Sequence, residues 1–408
     1  MLCSSAKTEY ANCRAVSKKR IDIHGVVSIR FKIVGIKNES VITDAEGDGI
    51  QLRKKKIGTD SVAAVVMKKF QLSQTEEADG GEIGKIFYAC ASPVLSETKI
   101  IKGKILLKGE AVLKVMYCSA TGENESVCVN YNLPFSEIID IESIDDSCKV
   151  SVGFNVDQVQ AEPKTDNDGE YKYLNLGCDI CAVVTAYKTE DICVITDSYS
   201  TQKEIDAKYK TETFTQILQN LNDSIICRES VDLSSMNPQR IYPAIAQSPE
   251  AKSRFDADKM TVTGKIPLKF ILIDGEGTPT FCEREAEFEY SRSIDAKGGN
   301  LHCDPKLFLT GYSCTLTSDG RAEFKAEMNI SADITETSEC RTLVSLKTVE
   351  NSELKKRHSS LVICFCNGGE KIWDIARKYN TTVEDIMSEN ELTSDEIGEK
   401  MMLMIPVK

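Results

Sequence analysis

Apolar and polar residues alternate along most of the first 350 positions of the chain. The alternating apolar positions include Ile21, Ile23, Val27, Ile29, Phe31, Ile33, Val112, Val115, Tyr117, Val127, Val129 and Tyr131. This period of two predicts strands that bury one face. Turn-forming residues separate the alternating runs, at 121–124, 167–169, 274–277 and 318–320. We therefore predict a mainly β chain, built as tandem antiparallel sandwich-like or barrel-like repeats.

The alternating segments also repeat along the chain. Residues 20–44 and 173–197 share the same apolar phase and both end on Val-Ile-Thr-Asp, and residues 323–346 keep the phase without that ending. Upstream, residues 97–117 resemble residues 257–274. Two matched elements in the same order indicate tandem units. We predict a partial β unit at 1–66, complete units at 67–200 and 201–352, and a polar linker at 353–360.

The pattern changes near residue 361. A short apolar run from Leu361 to Cys366 predicts a strand, and a Gly-Gly turn follows it. The next apolar positions fall on one helical face: Ile372, Ile375, Ala376 and Tyr379. We predict that this helix ends at Asn380. Thr381 and Glu384 have the spacing of a capping box for a second helix. A last strand, from Met401 to Ile405, completes a small α+β unit of order βααβ at 361–408.

This C-terminal pattern, GGEKIWDIARKYNTTVEDIMSENEL followed by EKMMLMIPV, resembles the LysM domain. LysM domains bind N-acetylglucosamine glycans such as peptidoglycan in a shallow groove between two loops. The resemblance implies these groove residues: Gly369, Glu370, Lys371, Ile372, Asn390, Glu391 and Leu392. Lys371 stands where the family usually has Thr, and Gly-Gly-Glu replaces its usual Pro-Gly-Asp.

Several of these residues also have a purely structural interpretation. Gly369 serves the turn, Asn390 caps a helix or turn, and Trp373, the only tryptophan, caps the small core more often than it stacks on a sugar.

The body resembles the SPOCS domain of endospore-forming bacteria. The resemblance lies in Leu133-Pro134-Phe135-Ser136-Glu137 and in the segment 195–201; the first of these reads Ala286-Glu287-Phe288-Glu289-Tyr290 in the second unit. SPOCS repeats followed by a LysM domain have the architecture of SipL-type spore-coat proteins. The resemblance implies a scaffold in the mother-cell cytosol at the forespore surface, whose LysM domain engages the basement-layer ATPase of the coat.

Composition limits the other functions. The net charge is -13, with both signs interleaved, which argues against nucleic-acid binding. The first ten residues lack the apolar region of a signal peptide, and no apolar run has the length of a membrane span, so we expect a cytosolic protein. Among the 16 cysteines, Cys178 and Cys181 have half of a zinc-site spacing, but a buried position in a strand is the favoured interpretation.

We expect no catalytic residues, no metal and no cofactor. His24, His302 and His358 lie outside metal-site motifs, and no nucleophile-elbow or phosphate-loop pattern occurs in the sequence. Two functions remain open: a scaffold in spore coat or spore envelope assembly, and a module that binds peptidoglycan or its lipid-linked precursor. A wall hydrolase with a lost catalytic domain is a third and weaker hypothesis.

Overall fold

The computed structural model describes residues 2–33, 40–79, 81–120, 126–256, 258–294, 300–353 and 361–406. Antiparallel strands dominate, and two short helices lie near the C-terminus, so the predicted fold class is confirmed. Up to residue 200 the strands are β1 (Leu2–Ser17), β2 (Arg20–Ile33), β3 (Ile50–Glu77), β4 (Ile83–Ile101), β5 (Lys104–Ser119), β6 (Ser126–Asp140), β7 (Lys149–Lys164) and β8 (Tyr173–Ser200).

Beyond residue 200 the strands are β9 (Lys203–Asp232), β10 (Pro238–Ile241), β11 (Ile245–Ala246), β12 (Glu250–Asp256), β13 (Lys259–Asp274), β14 (Pro279–Ser293), β15 (Asn300–Cys303), β16 (Lys306–Leu316), β17 (Arg321–Glu353), β18 (Leu361–Cys366) and β19 (Met401–Pro406). The α-helices of the described residues are α1 (Ile372–Tyr379) and α2 (Val383–Glu389), and a 3-10 turn spans Ser234–Met236. Residues 121–124, a predicted turn, and 354–360, most of the predicted linker, lie outside the described residues.

The chain forms two compact units. The first contains Met1–Lys37, Asp60–Thr189 and Ile217–Glu336, and the second contains Asn38–Thr59, Glu190–Gln216 and Thr337–Lys408. Strands β3, β8, β9 and β17 contribute residues to both units. We describe each unit by itself.

The first unit contains two pairs of facing sheets. In the first pair, sheet β4–β5–β6 shares a core with sheet β3–β8–β7. The fully buried side chains of this core alternate along β5, β6 and β8: Leu113, Val115, Tyr117, Leu133, Leu174 and Leu176. In the second pair, β13 is the central strand of a five-stranded sheet, and it shares a core with the sheet that contains β9, β15, β16 and β17. Both pairs are therefore sandwich-like, as the alternation predicts.

One local contact recurs in both sheet pairs. Gly109 of β5 lies opposite Phe135, and Gly264 of β13 lies opposite Phe288. A Cβ atom at Gly109 would lie 2.1 Å from the carbonyl oxygen of Val94, and one at Gly264 would lie 2.2 Å from that of Glu250. The sequence comparison aligned Phe135 with Phe288, and the structure confirms that the two occupy equivalent positions.

The second unit joins a small β cluster to the C-terminal βααβ module. Ile57, Val194, Phe214 and Cys340 form the buried part of the cluster. Tyr199, near the end of β8, is buried in the core of the module.

Candidate functional site

The C-terminal module has the predicted βααβ order. Strands β18 and β19 pair antiparallel from Leu361 opposite Pro406 to Cys366 opposite Met401. Helix α1 ends at Asn380, which adopts a left-handed conformation with φ of 53° and donates its N–H to helix carbonyls. Asn380 was the predicted stop, and the prediction is confirmed.

The N-cap of α2 differs from the predicted one. The sequence predicted a capping box at Thr381 and Glu384, but the N-cap is Thr382, whose hydroxyl accepts from the Asp385 N–H at 3.0 Å. Thr381 is buried and donates its own N–H to the Ala376 carbonyl at 3.0 Å. Two consecutive threonines, each three residues before an acid, made the two positions indistinguishable in sequence.

The first predicted loop is held by backbone contacts. Gly369 has a φ of +87°, which favours glycine, and its N–H donates to the Ile397 carbonyl at 2.7 Å. A Cβ atom at Gly368 would lie 2.8 Å from the Gly398 carbonyl oxygen, so the Gly-Gly pair is required by the fold. The Ile397 N–H in turn donates to the Glu370 carbonyl at 2.9 Å.

The side chains of this loop divide between surface and core. Glu370 and Lys371 are exposed, and Glu370 accepts from the Asn367 amide at 3.2 Å. The backbone of Lys371 forms an isolated antiparallel β-bridge with the backbone of Glu396. Ile372 is fully buried in the core of the module, where it packs with Ile375, Ala376, Ile386, Leu403 and Ile405.

The second predicted loop depends on Asn390. Its amide donates to the carbonyls of Ile386 at 2.8 Å and Met404 at 2.7 Å, and its oxygen accepts from the Met404 N–H at 2.7 Å. Glu391 is exposed in a left-handed conformation with φ of 54°, and Leu392 is half-buried against the core. Asn390 therefore fastens the end of α2 to the closing strand.

Of the seven predicted groove residues, four present themselves to solvent. These are Gly369, Glu370, Lys371 and Glu391. The segment 395–397, which sequence reasoning did not single out, holds the first loop through backbone hydrogen bonds from Gly369 and Ile372.

Sequence reasoning also missed the outward side of the β18–β19 sheet. Ile363 lies opposite Met404, and Phe365 lies opposite Met402. All four are exposed, Phe365 by 74%, and Leu361 extends the same side. We call Leu361, Ile363, Phe365, Met402 and Met404 the outer LysM face. The period of two in a strand could have indicated this side. Cys366 is fully buried, so Leu361, Ile363 and Phe365 lie on the opposite side of β18.

Helix α1 is fixed to strand β8 within the second unit. The Trp373 indole N–H donates to the Asp197 carboxylate at 2.9 Å, and the Arg377 guanidinium donates to the same carboxylate at 2.9 and 3.1 Å. The Tyr199 ring meets the Trp373 ring edge-on with centroids 4.9 Å apart, and the Tyr199 hydroxyl donates to the Thr381 carbonyl at 2.8 Å. Trp373 thus has the structural role that the sequence favoured.

None of the cysteines from Cys13 to Cys366 forms a disulfide, and several are buried. Cys178 and Cys181 are both buried in β8, as predicted, and burial raises the pKa of the Cys178 thiol to about 11. In β18 the sulfurs of Cys364 and Cys366 lie 3.5 Å apart, and burial together with the neighbouring thiol raises the pKa of Cys366 to about 12. Within the described ranges, no group of three or more potential ligands is placed to hold a metal ion.

Comparison with known families gives two matches. Residues 82–164, which span β4 to β7, match the family described as SipL, SPOCS domain, and residues 369–406 match the LysM domain. The chain carries a SPOCS domain and a LysM domain. This confirms the resemblance to SipL-type proteins that the sequence suggested. No curated protein and no solved structure matches the chain.

Both families are binding domains rather than catalytic ones, and together they fit a sporulation-related scaffold or a peptidoglycan-binding role. Among the described residues, no helix is both long enough and apolar enough to cross a membrane.

Proposed function

We propose that the chain is a non-enzymatic scaffold of spore coat or spore envelope assembly, which docks through its LysM domain onto a coat morphogenetic protein. The observation that carries the proposal is the presence of a SPOCS domain and a LysM domain in one chain. By resemblance to SipL-type proteins, the partner is the basement-layer ATPase of the coat, and the place is the mother-cell cytosol at the forespore surface.

The outer LysM face supports a protein partner. Five apolar side chains are exposed side by side on the β18–β19 sheet, and two of them are methionines, whose flexible side chains adapt to a partner surface. Contiguous exposed apolar side chains of this kind are typical of protein interaction sites. A glycan would instead be expected to engage the polar loops at Gly369 to Lys371 and Glu391.

The free thiols support the proposed compartment. None of the cysteines from Cys13 to Cys366 forms a disulfide, and this includes the closely spaced Cys364 and Cys366. Persisting thiols are typical of a reducing cytosol. The proposal further treats both complete units, 67–200 and 201–352, as SPOCS-type repeats, and the equivalent contacts of Gly109 with Phe135 and Gly264 with Phe288 support the second.

Affinity capture from sporulating cells tests the proposal. The full chain should recover a coat morphogenetic protein, and Phe365→Lys on the outer LysM face should abolish recovery. Lys371→Glu and Leu392→Asp test the two predicted groove loops in the same way. Lys378→Glu, an exposed charge reversal on helix α1, is the control.

Tryptophan fluorescence of Trp373 checks that each variant keeps a folded LysM domain, which matters most for the half-buried Leu392. Capture of no coat protein by the wild-type chain contradicts the proposal. Expression of the gene outside sporulation contradicts the assignment to spore assembly as well.

Glycan binding is the second candidate, because LysM domains are generally glycan-binding. The full chain should then sediment with purified peptidoglycan, and Lys371→Glu should reduce the bound fraction more than Phe365→Lys does. Glycan binding is excluded if the chain stays in the supernatant at every peptidoglycan load and does not bind vesicles that contain a lipid-linked precursor.

A further inference from the structure

The N-terminal hairpin has one strongly apolar face. Strands β1 and β2 pair antiparallel from Leu2 opposite Ile33 to Ser17 opposite Arg20, with an irregularity near Tyr10. The odd-numbered residues of β2 lie on one face of the hairpin, and its large members are Ile21, Ile23, Val27, Ile29, Phe31 and Ile33. All six are exposed by more than half.

Strand β1 contributes small residues to the same face. Residues directly opposite each other in an antiparallel pair share a face. Ala15 lies opposite Ile21, Cys13 opposite Ile23, and Ala6 opposite Ile29. We call these three residues and the six large residues of β2 the apolar hairpin face. The six large residues of this set lie on β2, whereas Ala15, Cys13 and Ala6 of β1 are small.

The other face of the hairpin has a different character. His24 and Ser28 are exposed there, Asp22 is half-buried, and Arg20 pairs with Asp22 at 3.1 Å. Val26 is the one large apolar residue that β2 places on this face, and it lies opposite Tyr10. The hairpin is therefore two-sided in the manner of a strand pair that buries one face against another sheet.

The chain itself contains the covered form of this sequence. Residues 20–44 share their apolar phase and a Val-Ile-Thr-Asp ending with residues 173–197 of β8. In β8 the corresponding face is buried against sheet β4–β5–β6, with Leu174, Leu176 and Ile180 almost fully excluded from solvent. The same pattern that is buried in β8 is open in β2.

We propose that the apolar hairpin face packs against the same face of a second copy of this chain. Two-fold packing places large β2 residues of each copy over the small residues Ala15, Cys13 and Ala6 of the other, so these parts of the face are complementary. Six large side chains exposed by more than half present on the order of 500 Å² of apolar surface per copy. Two copies together then bury on the order of 1,000 Å², the lower limit for a specific interface. Such a contact gives weak, concentration-dependent dimers.

Adjacent valines provide a matched test. Val27 is 55% exposed on the apolar hairpin face, and Val26 is 56% exposed on the other face. The full chain is examined by sedimentation velocity over a concentration series. We expect a monomer–dimer equilibrium for the wild type, a dissociation constant raised at least about tenfold by Val27→Lys, and no such change for Val26→Lys.

Cys13 gives an independent readout, since it lies within the apolar hairpin face. In a mixture of isotope-labelled and unlabelled chains, a short thiol cross-linker should join Cys13 of two copies, and Val27→Lys should suppress that product. A wild-type chain that is monomeric up to about 100 μM overturns the proposal. So does a dimer that Val26→Lys and Val27→Lys affect equally, or one that neither variant affects.

Discussion

The Trp373 indole N–H and the Asp197 carboxylate are joined by a hydrogen bond of 2.9 Å, although the two residues lie 176 positions apart in the chain. The Arg377 guanidinium donates to the same carboxylate. The bond attaches the LysM domain to the end of β8. Nothing in the sequence around Asp197 or Trp373 predicts that the two residues are in contact.

Removal of the carboxylate should loosen this attachment. Asp197→Ala leaves the Trp373 N–H and the Arg377 guanidinium without their acceptor, and we expect the free energy of unfolding of the LysM domain to fall by about 1–2 kcal/mol. Arg377 is half exposed, so solvent screening limits its share of that loss.

Urea unfolding followed by Trp373 fluorescence measures the effect, because Trp373 is the only tryptophan. Asp191→Ala on the same strand removes only an exposed ion pair with Lys56 and should change the midpoint little. Equal midpoints for the two variants would show that the attachment contributes nothing.

The neighbouring Tyr199 should make the LysM domain sensitive to alkaline pH. Burial raises the pKa of its phenol above the ordinary value of 10.0, and the neutral hydroxyl donates to the Thr381 carbonyl. Above pH 10 the unfolded chain loses this proton and the folded chain keeps it, so stability falls as the pH rises.

Tyr199→Phe should be less stable than the wild type by about 1 kcal/mol at pH 7, because the hydrogen bond is lost. The difference in stability between the two proteins should shrink above pH 10. Only the wild type has a phenol at this position, so only the wild type loses stability through its ionisation in the unfolded chain. Fluorescence-monitored unfolding at pH 7, 9 and 10.5 measures both effects. A gap that stays constant across this range contradicts the assigned cause.

Asn390 should contribute to the stability of the LysM domain whether or not it also contacts a ligand. Asn390→Ala removes one hydrogen bond to the Ile386 carbonyl of α2 and two to the backbone of Met404 in β19, and we expect a loss of about 2–4 kcal/mol in the free energy of unfolding. Glu391→Gln, at the exposed adjacent position, should leave the midpoint unchanged. If both variants unfold like the wild type, Asn390 is free for a binding role.

The LysM domain was predictable because its signals are local. The helical stripe from Ile372 to Tyr379, the stop at Asn380 and the closing strand are each encoded within a few residues of where they act. Thr381 and Thr382 each precede an acidic residue by three positions, so local spacing could not distinguish the N-cap of α2. The contact of Tyr199 with Trp373 depends on tertiary packing and had no local signal at all.

For the β-rich part of the chain before residue 353, the sequence indicated which positions of a strand are apolar, but not which strands pair with each other. Leu174, Leu176 and Ile180 of β8 are buried as the alternation predicts, but β5 is buried on both sides from Ala111 to Tyr117, and the apolar side of β2 is exposed. Alternation identifies the apolar side of a strand. It does not specify which strands become neighbours. Strand β3 pairs with β8, and β9 pairs with β17, across long separations in sequence.

The equivalent glycines offer a test of the repeat. Gly109→Ala and Gly264→Ala should each destabilise the first unit by about 2 kcal/mol or more, since the added methyl group meets a backbone carbonyl and a phenylalanine ring. Gly177→Ala is the control, because a Cβ there lies at least 3.5 Å from its neighbours. Thermal unfolding followed by circular dichroism measures all three. If Gly109→Ala and Gly264→Ala lower the stability of the first unit by widely different amounts, the two glycines are not equivalent.

The buried Lys114 of β5 should limit the stability of the first unit at neutral pH. Only 6% of it is exposed, its Nζ donates to the Tyr312 carbonyl at 3.2 Å, and the same atom lies 2.9 Å from the centroid of the Tyr312 ring. Burial lowers the pKa of its ammonium group from 10.5 to about 8. Between these values the unfolded chain binds more protons than the folded chain, so stability rises with pH across that window, and the cost of burying the charge is complete below pH 8.

Lys114→Met should therefore stabilise the first unit at pH 7 by about 1–3 kcal/mol and remove the rise in stability between pH 8 and pH 10.5. The attraction of the ammonium group to the Tyr312 ring opposes this gain, and burial of the uncompensated charge outweighs it. Hydrogen exchange of the β5 amides at several pH values measures the effect. Lys108→Met, at an exposed position of the same strand, should leave the pH dependence of exchange as it is in the wild type. A Lys114→Met chain less stable than the wild type at pH 7 would mean that the contact with the Tyr312 ring is the larger effect.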